Sequence, residues 1–208
     1  MSTRINKYIS ELGIASRRQA DTMVADGRLS INDRAAIPGS QVRPGDVVKL
    51  DGRVISGDMP ERVYIAFNKP EGITCTTDLR DPTNIIDFID YPERIFPVGR
   101  LDKASTGLIL LTNDGDLVNL ILRARYGHEK EYEVTVRERI TPEFMAGMRK
   151  PVPILNTLTK PSKIRQLDTH RFRITLSQGM NRQIRRMCEY FDYHVISLER
   201  RRIMNVTL

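Results

Sequence analysis

One short apolar run limits the choice of fold more than any other part of this chain. Leu108-Ile109-Leu110-Leu111 is continuous rather than alternating, so it reads as a sheet strand, and Asn113-Asp114-Gly115 closes it. Directly before it stand Gly99-Arg100-Leu101-Asp102 and the small polar run Lys103-Ala104-Ser105-Thr106-Gly107. This glycine-bounded turn places a carboxylate beside an arginine at the mouth of a sheet, where a loop presents it to a substrate.

The remaining pattern mixes strands and helices without a regular βαβ rhythm, which predicts an α+β fold rather than a doubly wound sheet. Ile5, Tyr8, Ile9 and Leu12 recur at helical spacing up to Gly13. Ser16 with Gln19 predicts a capping box for a second helix, whose inner face is Ala20, Met23 and Val24 and which Gly27 stops. Strands follow at 29–31 and 47–50. This N-terminal unit is small for a core of its own, so recognition suits it better than chemistry. Residues 56–61 have linker composition. We therefore expect domains at 1–57 and 63–208, joined by a linker at 58–62. In the second domain the pattern predicts strands at 63–67, 108–111, around Tyr132–Val136, around Phe172–Leu176 and at 195–198. Asn68-Lys69-Pro70-Glu71-Gly72 breaks the first of these, and 74–77 is β-prone. Helices are expected at 85–89, through Leu117, Leu120, Ile121 and Ala124, from Pro142, and from an Asn181 cap to about Phe191.

The 208 residues carry a formal net charge of +7, with 40% hydrophobic and 28% charged residues. A real core and an anionic partner, nucleic acid first, are the expectations. The two cysteines, Cys75 and Cys188, lie far apart and form neither a zinc motif nor a disulfide framework. The first residues lack the apolar core of a signal peptide, and no run approaches the roughly 18 apolar residues of a membrane span. A cytoplasmic, monomeric protein is expected.

Several side chains stand out by type and place. Arg4 and Lys7 share one side of the first helix, and Arg17 and Arg18 open the second. Cations at a helix N-terminus oppose the macrodipole unless an anion such as phosphate binds there. Asp102 is the candidate nucleophile, since a carboxylate attacks a sugar carbon or a polarised pyrimidine without a metal. It must be ionised to act, and Arg185, in Asn181-Arg182-Gln183-Ile184-Arg185-Arg186-Met187, is the arginine expected to grip it. Tyr132 offers a ring to stack on an extruded base and a hydroxyl for proton transfer. Arg100 is either a wedge that holds a base stack open or a phosphate contact.

Two resemblances gather these residues. The stretch from Arg4 to Asp21, then Gly27-Arg28-Leu29-Ser30-Ile31-Asn32 and Val42-Arg43-Pro44-Gly45-Asp46-Val47-Val48, is similar to an S4 domain. That likeness implies binding of structured RNA through Arg4, Lys7, Ser16, Arg17, Arg18 and Gln19. Asn68-Lys69-Pro70-x-Gly72, Gly99-Arg100-Leu101-Asp102, Lys130-x-Tyr132 and Gly179-x-Asn181-Arg182-Gln183-Ile184-Arg185-Arg186-Met187 resemble, in order, the RsuA/RluB/RluE/RluF group of pseudouridine synthases. The likeness implies a mixed, largely antiparallel sheet flanked by helices. It implies isomerisation of uridine to pseudouridine, with Asp102 catalytic, Tyr132 against the base and Arg185 the partner of Asp102. It also implies RNA contacts from Lys69, Arg100, Asn181, Arg182, Gln183 and Arg186, and no metal or organic cofactor. Within the group, Leu111-Thr112-Asn113-x-Gly115-Asp116-Leu117 and Glu199-Arg200-x-Arg202-Ile203-Met204-Asn205 lean toward enzymes of large-subunit ribosomal RNA, with transfer RNA as the other possible substrate. Met180 departs from the arginine that many members carry. A non-catalytic RNA-binding or ribosome-assembly factor is the competing reading. A glycoside hydrolase is a weaker one, because it needs two matched carboxylates.

Overall fold

The computed structural model describes residues 2–55, 59–122 and 127–208. They form two compact units: Met1–Val63 with Pro92–Arg94 and Asn113–Gly115, and Tyr64–Tyr91 with Ile95–Thr112 and Asp116–Leu208.

In the first unit β1 (Thr3–Arg4), α1 (Ile5–Glu11), α2 (Arg17–Ala25), β2 (Leu29–Ile31), β3 (Arg34–Ala35), β4 (Gln41–Val42), β5 (Val48–Leu50) and β6 (Arg53–Val54) follow in order. The capping box is present. Ser16 Oγ accepts from the Gln19 N–H at 3.2 Å, and Gln19 Oε1 accepts from the Ser16 N–H at 2.9 Å. Two orphan amide donors of α2 are thereby satisfied. The helices bury Ile5, Ile9, Ala20 and Val24 against Leu29 and Val48 of a small antiparallel sheet ordered β3-β2-β5-β6. Beyond β6 the chain is fastened at Glu61–Val63: Asn113 Nδ2 donates to the Glu61 carbonyl, and Asn113 Oδ1 accepts from the Val63 N–H. Arg62 pairs with Asp114 at 2.6 Å. Of the expected linker, Asp58 lies outside the described residues, as do the neighbouring Ser56 and Gly57.

The second unit holds β7 (Tyr64–Lys69), α3 (Ile85–Ile89), β8 (Phe96–Val98), β9 (Thr106–Thr112), α4 (Gly115–Leu122), β10 (Lys130–Val136), α5 (Pro142–Arg149), β11 (Pro153–Ile154), β12 (Thr157–Leu158), β13 (Lys163–Gln166), β14 (Arg171–Leu176), α6 (Gln183–Tyr190), β15 (Val195–Ile203) and β16 (Val206–Thr207). The main sheet runs β13-β14-β10-β15-β9-β7, with β16 on β15 and β8 on β9. The β9–β15 pair is parallel and the other pairs are antiparallel, so the sheet is mixed and the unit α+β.

Register sorts the side chains of the middle strands onto two faces. Val134 sits opposite Phe172 and Leu198, and Tyr132 opposite Ile174 and Arg200, so these share one face. There α5 lays Phe144 on Phe172 and on the ring of Tyr193, with centroids at 5.6 and 3.8 Å. The other face carries Glu131, Glu133, Arg173, Glu199 and Arg201 in an ion-pair lattice: Arg173 with Glu131 and Glu133, Arg202 with Glu129 and Glu131, Arg201 with Glu199. Near the other end of the sheet, Ile121 of α4 packs on Val98, Leu108 and Ile203.

Several expectations shift. β7 continues through Asn68 and Lys69, which were expected to end it, because their backbone pairs with Leu108 and Gly107. The 74–77 segment makes only an isolated bridge, Thr74 to Asn84. Arg182, not Asn181, precedes α6, in a left-handed conformation and without a side-chain cap. Leu120 of α4 is exposed, and Ala124 lies outside the described residues. β15 runs five residues past Leu198, where its charged sequence had hidden it.

Gly107 marks the tightest backbone approach. Its φ is +99°, and a Cβ there would stand 2.3 Å from the Arg200 carbonyl oxygen and 2.6 Å from the Arg200 nitrogen. Neither neighbour is a flexible side-chain end, so Gly107→Ala forces β9 and β15 apart. We expect it to lower stability by about 2–4 kcal/mol, combining left-handed strain and overpacking. Urea unfolding checks this, and a loss under about 0.5 kcal/mol, the size of an ordinary surface change, contradicts the close approach.

Candidate active site

The loop Gly99–Ser105 joins β8 to β9 and carries Asp102. It is held almost entirely through its backbone. The Leu101 N–H donates to Cys75 Sγ at 3.3 Å. The Lys103 carbonyl accepts from the Gly72 N–H at 2.9 Å and from Lys69 Nζ at 3.4 Å. The Ala104 carbonyl accepts from Arg185 Nη2 at 3.0 Å, and the Arg100 carbonyl from Arg200 Nη1 at 3.4 Å. The turn closes on itself, with the Ser105 N–H donating to the Asp102 carbonyl at 3.0 Å. The Asp102 carboxylate itself is half-buried and makes no hydrogen bond or ion pair to a described residue.

Asp102 lines a cleft of about 920 Å³ in the second unit, together with Arg100, Lys130, Tyr132, Arg182 and Arg200. The structure thus brings Asp102 and Tyr132 into one cavity. Tyr132, 9% exposed on the sheet floor, makes no hydroxyl hydrogen bond to a described residue. A ring there offers a stacking surface, and its hydroxyl stays available to a ligand. Arg100 and Arg182 are exposed at the rim.

Two assigned roles need revision, those of Arg185 and Lys69, and two further side chains, Gln183 and Arg186, also bond within the chain. Arg185 does not grip Asp102. α6 turns it to its buried side, where it is 8% exposed and donates to the carbonyls of Ala104 and Val195. It acts on the loop backbone rather than on the carboxylate. Lys69 is fully buried, and its ammonium donates to the carbonyls of Pro70 and Ile73 at 2.7 and 2.9 Å as well as to Lys103. An RNA phosphate has no route to it. Burial pulls its pKa down, and nearby Cys75, Glu71 and Asp102 partly restore it. Gln183 is also buried: its Oε1 accepts from the Met180 N–H at 3.1 Å, which shapes the turn into α6. Arg186 folds back onto the carbonyl and side chain of Asn181, at 3.1 and 3.2 Å, and does not line the cleft.

In the first unit, Arg17 and Arg18 are exposed in the first turn of α2, which holds no acidic residue, and Arg4 is exposed before α1. Lys7 is paired with Glu11 at 3.6 Å. Ser16 and Gln19 are joined in the capping box, so their first duty is to the helix.

Arg200, Lys130 and Cys75 were not among the expected site residues. Arg200 falls in phase with Leu198 on the buried face of β15, and an earlier strand end concealed that phase. Cys75 is a free, buried thiol whose pKa burial raises. Cys188 is likewise free and buried. Among the described residues no group of three His, Cys, Asp or Glu is placed to hold a metal, and no helix is long and apolar enough to cross a membrane.

If Lys69 is a structural cation, Lys69→Met leaves the carbonyls of Pro70 and Ile73 without this donor, while that of Lys103 keeps the Gly72 N–H. Stability should then fall by about 2–4 kcal/mol. The slope of log K against log salt for RNA should stay unchanged, since no phosphate contact is lost. A slope flattened by about one in salt titrations, with normal stability, restores the RNA-contact reading.

Comparison with known proteins agrees with this geometry. Residues 63–190 match the RNA pseudouridylate synthase family, and residues 3–48 match the S4 domain. The chain is 58% identical to the dual-specificity RNA pseudouridine synthase RluF of Salmonella typhi, over 100% of this chain and 72% of that protein. It is 32% identical to the ribosomal large subunit pseudouridine synthase B of Bacillus subtilis, over 95% of this chain and 84% of that one. A crystal structure of a pseudouridylate synthase superposes with a TM-score of 0.71 at 30% identity, covering 99% of this chain and 90% of the other. A family match over residues 63–190 and 58% identity along the whole chain make it a member of the pseudouridine synthase family, an isomerase that converts uridine to pseudouridine in RNA.

Proposed function

We propose that the Asp102 cleft is the reaction site and that large-subunit ribosomal RNA is the principal substrate. The free carboxylate of Asp102, which lines one cleft with Tyr132 and sits on a loop fixed through its backbone, carries this reading. Asp102 is the nucleophile. Tyr132 faces the uracil. Arg100, exposed beside the nucleophile, fills the gap the extruded base leaves, while Arg182 meets the backbone at the rim. Arg185 holds the Ala104 carbonyl and so keeps the carboxylate aimed. Over the whole reaction the C1′–N1 bond breaks and a C1′–C5 bond forms. C5 gives up its proton and N1 gains one, so no metal or redox partner enters the balance.

The relatives named for the large ribosomal subunit, and the sequence features of the same branch, support ribosomal RNA. The most similar relatives carry the description dual-specificity, which favours a second RNA class, and transfer RNA is the one we name. Residues 1–57 supply recognition through Arg4, Lys7, Arg17 and Arg18, with 58–62 as linker and 63–208 as the catalytic domain. We take the working form to be a cytoplasmic monomer.

RNA labelled with tritium at uridine C5 tests the assignment. The wild type should release tritium from a large-subunit RNA fragment without freeing uracil. Asp102→Asn should retain less than about 1% of the rate at nearly unchanged affinity, as expected for loss of a covalent catalyst. Higher residual activity rules out Asp102 as nucleophile. A second comparison addresses the first unit. Changing Arg17 and Arg18 together to Ala should weaken binding and flatten the salt slope by roughly one to two, while saturating RNA recovers the rate. Normal binding with an unchanged slope removes these arginines from the interface.

A further inference from the structure

The cleft holds two cations, Lys130 and Arg200, that form no ion pair with a described residue. Lys130 and Tyr132 stand two residues apart on β10, and register places Lys130 opposite Leu176 and Tyr132 opposite Arg200 on the same face. The carboxylates of that strand, Glu131 and Glu133, point the other way and are taken by Arg173 and Arg202. The Lys130 ammonium has no hydrogen-bond or ion-pair partner among the described residues, although it is half-buried. Burial, and then the charge of Arg200, hold its pKa below the ordinary lysine value. Arg200 is 2% exposed. It gives Nε to the Leu108 carbonyl at 2.6 Å and Nη1 to Arg100, but its buried Nη2 finds no acceptor. Both residues line the Asp102 cleft.

A buried donor without an acceptor is costly, and two neighbouring cations without a counter-ion are costlier still. A site built this way is complete only with an electron-rich ligand on it. Depth decides which part of the substrate that is. Arg200 and Tyr132 form the floor, which a flat base reaches edge-on, whereas the bulkier phosphodiester meets the exposed Arg100 and Arg182 at the rim.

We propose that Lys130, backed by Arg200, receives a carbonyl oxygen of the target uracil and stabilises the negative charge the ring carries while it is detached. As the Asp102 carboxylate bonds to C1′, C1′–N1 breaks and its bonding pair stays on the base and spreads onto O2 and O4. C5 then bonds to C1′ and displaces the carboxylate, C5 releases its proton and N1 takes one up, which discharges the ring and frees Asp102. Lys130 gives and takes no electrons and acts as a fixed positive charge where charge develops, which is where such groups act most strongly. This assignment rests on the Asp102 cleft being the reaction site.

Single-turnover tritium release, with RNA affinity measured across a salt series, tests it on the full chain. Lys130→Met should slow release by about 100-fold, the effect of deleting one donor to a developing oxyanion. Its Kd should stay within about twofold and its salt slope unchanged, because no phosphate contact is removed. Lys130→Arg, which keeps the charge, should recover most of the rate. An unchanged rate in Lys130→Met overturns the proposal. So does weakened binding with a slope reduced by about one and full rate at saturating RNA, which marks a phosphate contact. Lys130→Arg as slow as Lys130→Met overturns it as well, since shape rather than charge is then at work. Asp102→Asn, run beside them, separates the two readings. Active Lys130→Met beside inactive Asp102→Asn removes only the role of Lys130. Active Asp102→Asn removes the site reading and this proposal with it.

Discussion

A carboxylate that keeps its oxygens free of partners cannot be positioned by bonds to those oxygens. The chain resolves this by holding the Asp102 loop through its carbonyls and one amide. Arg185, Arg200 and Lys69 each place a cationic donor on a loop carbonyl, and Cys75 accepts the Leu101 N–H. Burying three such cations costs free energy, because each loses its water. Peptide carbonyls, with two lone pairs each, offset that cost without introducing a carboxylate that would compete for the same charges. The cations therefore retain their field, and the Asp102 carboxylate beside them stays without a hydrogen-bond or ion-pair partner among the described residues.

The two faces of the main sheet divide the charge accordingly. On the face away from the cleft, glutamates of β10 and β15 alternate with arginines of β14 and β15 in mutual pairs. Partly exposed pairs of this kind add little stability individually. Their larger effect is on placement, since they keep the acidic residues of the sheet away from the face a polyanion approaches. A net charge of +7 is then less informative than its distribution.

Much of this was legible in the sequence where local rules dominate. The capping box at Ser16, the Pro142 helix start and the alternating strands at Tyr132 and Phe172 each depend on residues a few positions apart, and each is present. Asp102 stood out because glycine and polar residues bracket it before an apolar strand. What escaped was long-range. Lys69 looks like an RNA-binding lysine until the loop 34 residues away is seen to cover it. Arg200 sits in a charged run, Glu199 to Arg202, whose alternation becomes visible only when both neighbouring strands are in place. The expected Arg185–Asp102 pair had the right elements but the wrong atoms, because helix phase turns the guanidinium toward carbonyls.

The parallel pairing of β9 with β15 has a consequence for the order of assembly. Arg200 reaches Leu108 across 92 positions and Arg100 across 100. Contacts of such separation form late, since the entropy of closing the intervening chain must be met before they contribute. As the chain emerges from the ribosome, Asp102 and Tyr132 are synthesised well before the strand that steadies them. A nascent chain can collapse around its apolar β7–β9 pair, yet the Asp102 loop lacks the Arg200 contact until β15 docks. The fixed geometry of the cleft thus arrives only with completion of the sheet.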